Sequence, residues 1–109
     1  MTATSAFELS ACQRRGFGAL TTLRLRGQPD RRLTLQEASI LARALAALAG
    51  GRSREPHIYM SPIASDQDFE ARARADGIVI VAEGHAGVTL DWTETRALAE
   101  ALRTLAESA

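Results

Sequence analysis

"LARALAALA" at residues 41–49 is followed 57 positions later by "LAEALRTLA" at residues 98–106, and six of the nine letters agree. Ala/Leu helices match easily by accident, so a duplication has to hold its register outside them. At the same offset Gly27 meets Gly84, Leu33 meets Leu90, Leu35 meets Trp92 and Glu37 meets Glu94. Thr34 and Glu37 have the spacing of a capping box, in which the hydroxyl accepts from a free helix N–H and the glutamate reaches back. Asp91 and Glu94 repeat it in the D-x-x-E form. Upstream, Phe7-Glu8 matches Phe69-Glu70 at an offset of 62, so the first hairpin is about five residues longer in the first copy. The pattern predicts a duplicated unit, with repeat one about 6–51, a linker at 52–56 and repeat two about 57–108.

Each copy reads strand, strand, short strand, helix. In the first, strands are expected at 6–13, 17–26 and 32–35 and a helix at 36–49, closed by Gly50-Gly51. In the second, residues 57–63 form an extra strand, interrupted by Pro62. Strands then follow at 68–74, 78–83 and 88–90, with a helix at 93–107. The expected fold is a single α+β domain over 1–109: one antiparallel sheet of five to seven strands with two helices on one face. Period-two alternation points Phe17, Ala19, Leu23 and Leu25 toward the helices and Leu20, Thr22, Arg24 and Arg26 away. "IVIVA" at 78–82 does not alternate and wants burial on both faces. Two helices cannot cover both faces of one sheet. Leu20, Val79 and Val81 are therefore expected to form a partner or dimer surface.

Charge is unevenly divided. The chain of 109 residues is formally neutral, yet residues 1–54 carry nine arginines against three acids, and residues 55–109 carry four arginines against ten acids. Every basic side chain is arginine, whose planar fork suits phosphate or carboxylate. Arg14, Arg15, Arg24, Arg26, Arg31 and Arg32 are the candidate polyanion-binding residues. One cysteine, Cys12, excludes an intrachain disulfide. No apolar run reaches the ~20 residues of a membrane span. No secretory signal is visible at the N-terminus, so a cytoplasmic location and no membrane association are expected.

The helices differ. The second has a polar outer face of Arg96, Glu100, Arg103 and Glu107, whereas from Ala42 to Ala49 the first has only Arg43. Ala46 and Ala47 stand where the second helix has Arg103 and Thr104, which makes them a second candidate partner surface. Chemistry is thin. His57 and His85 lie in or near loops, no metal-ligand spacing occurs, and Cys12 sits in a strand without a neighbouring base. Asp66, Asp68 and Asp76 match no cation loop. No catalytic, cofactor-binding or metal-binding residue is expected, and the chain is not read as an enzyme.

The run "FELSACQRRGFGALTTLRLRG...RRLTL", followed by a helix and a second copy, resembles PUR-type nucleic-acid-binding domains in its order of elements. That resemblance implies a sheet face carrying Arg24, Arg26, Arg72 and Arg74 toward a phosphate backbone, with bases stacked on aromatics. Of five aromatics, Phe7, Phe17, Phe69 and Trp92 read as inward or junctional, which leaves Tyr59. The expected function is a non-enzymatic binding or regulatory module acting through protein–protein contacts, as a homodimer and/or with another protein. Examples are an accessory subunit, a regulator or a phage- or plasmid-type inhibitor. Nucleic-acid binding through the arginine-lined sheet is the alternative, and a small enzyme or ligand-binding protein the minor one.

Overall fold

A computed structural model describes residues 7–16, 18–51, 57–62 and 68–107. Phe17, Asp66 and the 52–56 linker lie outside them. The strands are β1 (Phe7–Arg14), β2 (Gly18–Leu25) and β3 (Arg31–Thr34), followed by helix α1 (Leu35–Ala49). Then come β4 (His57–Met60), β5 (Phe69–Arg74), β6 (Gly77–Val81) and β7 (Val88–Asp91), followed by α2 (Trp92–Glu107). The fold is α+β, and among the described residues no helix is long and apolar enough to cross a membrane.

One expectation is corrected. The strands form two antiparallel sheets, of three strands (β1-β2-β3) and four strands (β4-β5-β6-β7), and not a single sheet. Every strand pairs only with a sequence neighbour. Short turns close such pairs at little loop entropy, whereas a merged sheet would need an edge of one meander to pair with an edge of the other. α1 stands between β3 and β4 in the chain.

The helix starts follow from their first residues. The Thr34 hydroxyl accepts from the Glu37 N–H at 3.0 Å, and the Glu37 carboxylate accepts from the Thr34 N–H at 2.9 Å. Asp91 and Glu94 make the same reciprocal pair at 2.7 and 2.9 Å. Each pair satisfies donors that a helix start leaves open. Gly27 and Gly84, in the turns after β2 and β6, take left-handed φ of 78° and 80°, where a Cβ would be strained.

One core joins all layers. Leu23, Leu25 and Leu33 of the first sheet meet Leu41 and Leu45 of α1, Ile78, Ile80 and Leu90 of the second sheet, and Leu98 and Leu102 of α2. Each such leucine or isoleucine contributes roughly 1.5–3 kcal/mol by leaving water. α1 and α2 pack on each other, α1 on β2 and β3, and α2 on β6, β7 and β1, so the last helix reaches across to the first sheet.

A polar junction crosses between the sheets as well. The Gln28 side chain, in the β2–β3 turn, donates to the carbonyls of Ile80 at 3.1 Å and Ala86 at 2.8 Å. Its Oε1 accepts from Arg31 Nη2 at 2.8 Å. Arg31 is fully buried, and its guanidinium lies 4.7 Å from the centre of the Phe69 ring. Burial lowers the Arg31 pKa from its ordinary value, and the Gln28 amide oxygen and the aromatic face offset part of that desolvation. Register explains the inward direction: Arg31 pairs with Leu23, which pairs with Leu9, and residues directly opposite share a face.

Gln28→Leu removes both cross-sheet bonds and an acceptor of Arg31. Urea unfolding is expected to show a loss of roughly 2–5 kcal/mol. Arg31→Met keeps much of the volume and removes the buried charge, so it should cost less. The double variant should cost less than the two single losses added. Additive losses would show that the two side chains do not act together.

Candidate docking surface

The apolar residues expected to form a partner surface are not all open to solvent. Leu20 is 1% and Val79 7% exposed within the single chain, and Val81 is half-buried. For Val79 the cover is the β6–β7 turn: a Cβ on Gly87 would stand 3.1 Å from Val79 Cγ2 and 3.8 Å from Val81 Cγ1. Gln28, through its bond to Ala86 O, holds that turn. The two-faced burial of "IVIVA" is thus largely met inside the chain, and Leu20 and Val79 are withdrawn as open surface.

The arginines scatter. Arg31 is in the core and not on a polyanion-binding face. Arg24 is exposed but held by a two-pronged contact with Asp30, 3.1 Å at each prong, and by Glu8 at 3.4 Å. The hydrogen bond from Arg24 holds the Asp30 carboxyl below its ordinary range. Arg15 and Arg26 are exposed and Arg32 is half-buried; the Arg14 side chain lies outside the described residues. The single arginine-lined face implied by the PUR resemblance is divided. Arg24 stands on the first sheet, and Arg72 and Arg74 on the second, where Glu70 engages Arg72 at 3.0 Å.

Tyr59 is 64% exposed, but its setting is acidic. It lines a cleft of about 380 Å³ with Asp68, Glu70, Glu83 and Val81. The Tyr59 and Ser61 hydroxyls each donate to Asp68 at 2.8 Å. These bonds, that of Ser61 foremost, hold Asp68 below its ordinary pKa and keep it anionic. His57 lies 3.7 Å from Glu70, the His85 N–H donates to Ala82 O at 3.1 Å, and Cys12 Sγ sits 3.4 Å from Thr22 Oγ1. Among the described residues no group of three His, Cys, Asp or Glu could hold a metal ion. Trp92 is half-buried against the core and donates to Ala75 O at 3.1 Å.

What stays open is the outer side of α1. Its inner side buries Ala38, Leu41, Ala42, Leu45 and Leu48. The opposite strip runs Gln36, Ile40, Arg43 and Ala47, with Ile40 44% exposed. Ile40 and Tyr59 are the exposed large apolar side chains among the described residues. Ile40 is the member that inspection of the sequence passes over. Helical spacing puts it with Gln36, Arg43 and Ala47, but it is hidden in a run of equally apolar letters. Ala46 is half-buried and packs on the core, and its other side lines a groove of about 370 Å³ between the helices. Across that groove α2 is polar, with Arg103 tied to Glu100 and, at 2.9 Å, to Glu107.

Arg24 and Arg72 are paired with acids, Arg31 is buried, and the exposed Tyr59 is flanked by carboxylates, which weakens both the charge and the stacking terms that hold single strands. A labelled single-stranded oligonucleotide is expected to show no mobility shift with excess protein at low salt. A shift that falls steeply with salt and is lost in Arg24→Ala/Arg26→Ala would reverse this. In comparisons with known proteins, the chain matches no family model, no curated protein and no solved structure.

Proposed function

We propose that this chain is a non-enzymatic protein-docking module whose contact surface is the outer strip of α1. The observation that carries the reading is the contrast between the two helices. α2 covers its outer side with exposed Arg96, Glu100, Arg103 and Glu107, whereas the outer strip of α1 carries exposed Ile40 and Arg43 and half-buried Ala47. An isoleucine open to water gains from being covered, and a helix with one charged side chain in its last two turns meets little desolvation cost when a partner does so. Regulators, accessory subunits and inhibitors work by such contacts.

A duplicated origin fits the same picture. Two reciprocal capping boxes and two left-handed turn glycines recur at one offset, which supports descent from one strand-strand-strand-helix unit. On that view the copies diverged on their helix surfaces, one toward solvent and one toward a partner. The partner includes a second copy among its candidates, because arginine surplus and acid surplus lie in opposite halves of the chain.

A photo-crosslinking residue placed at Ile40 or Ala47 in the native host should give an adduct of one defined mass. The same residue at Thr89, exposed on β7, should not. An adduct of twice the 11.7 kDa chain mass identifies the partner as a second copy, and any other single mass a different protein. Failure at Ile40 and Ala47, or equal adducts at Thr89, contradicts the reading.

A further inference from the structure

The groove between α1 and α2 sits beside the strip just described, and its chemistry is more specific. Its floor is Ala42, Ala46 and Ala99, which present methyl groups, and its walls carry Arg43 from α1 and Arg96 and Arg103 from α2. Arg103 is already neutralised by Glu100 and Glu107. Arg43 and Arg96 are different. Both are exposed, and neither forms an ion pair with any described residue. Arg96 is anchored from behind, its Nη2 donating to Ala49 O at 3.1 Å at the end of α1. One uncompensated guanidinium therefore stands on each helix, beside an apolar floor of buried Ala42 and Ala99 and half-buried Ala46.

We propose that this groove receives an acidic amphipathic helical segment of a partner protein. One or two aliphatic side chains rest on the alanine floor, and carboxylates meet Arg43 and Arg96. The inference rests on the docking reading above and names the chemistry of what docks. An alanine floor lets a second backbone come close, and a groove between two helices is the usual seat for a third amphipathic one. Arginine forks take carboxylates in two-pronged pairs. A continuous polyanion fits less well, because its charges would run past Glu100, whereas a folded segment places its carboxylates only where the arginines are.

The probe is a labelled helical peptide of about four turns with leucines four apart on one face and glutamates beside them, compared with its counterpart carrying glutamine for every glutamate. Fluorescence anisotropy at low salt is expected to show the acidic peptide binding roughly tenfold more tightly than the neutral one, with the difference shrinking as salt rises. Arg43→Gln/Arg96→Gln, both at exposed positions, should erase the difference with circular dichroism unchanged. Ala46→Trp should weaken both peptides by filling the floor. No binding of the acidic peptide, equal binding of the two peptides, or a preference that survives Arg43→Gln/Arg96→Gln overturns the proposal. Adducts at Ile40 alongside such a result would leave the docking reading standing and the groove assignment refuted. A clear acidic preference without adducts at Ile40 or Ala47 would do the reverse.

Discussion

The side-chain amide of Gln28 is where the two sheets become one molecule. Hydrophobic contact alone would let two small meanders, each with its own helix, slide against each other, because apolar burial has little direction. Hydrogen bonds do have direction. Gln28 fixes the first sheet's turn against Ile80 of a central strand and Ala86 of a loop, and it accepts from Arg31 over Phe69. A buried arginine is expensive to desolvate, so it tolerates few alternative arrangements. The junction therefore sets register between the halves, and the leucine core supplies most of the stabilisation around it.

That register decides which surfaces remain. The Gln28 bond holds the turn whose Gly87 lies against Val79, and this closes much of the outer side of β6. On the first sheet Arg24 is occupied by Asp30 and Glu8. On the second, Tyr59 is flanked by acids. The sheet faces are thus partly occupied by internal pairing, and the opposite charges of the two halves are partly spent in local contacts within each sheet. α1 is left with an isoleucine in water, beside a groove in which Arg43 and Arg96, unlike Arg103, have no carboxylate among the described residues.

Much of this was legible in the sequence. The two capping boxes marked both helix starts to within a residue, because capping is local chemistry between residues three apart. Turn glycines and alternation located the seven strands among the described residues. The division into two sheets was not legible, since strand patterns say which face is buried but not which edges meet. The burial of Arg31 was within reach. Leu33 points inward, so the residue two before it does too, but starting the strand at Arg32 placed Arg31 in a turn and made it a surface cation. Gln28 gave no signal at all. A glutamine in a Gly-Gln-Pro-Asp turn looks solvated, and its partners lie 52 and 58 residues away. Val79 failed as a surface residue for a related reason: the cover came from a glycine-bearing loop, which has no hydrophobic pattern to read.

The central claim is that the Gln28 junction and the shared core make both halves a single folding unit with a fixed outer surface. Native-state hydrogen exchange of backbone amides under increasing denaturant tests it directly. The slowest amides of β2, α1, β6 and α2 are predicted to open with one common free energy and one common denaturant dependence, equal to those of global unfolding. If the amides of β1, β2 and β3 opened together at distinctly lower free energy while β5, β6 and β7 stayed protected, the halves would be separate units and the account would be contradicted.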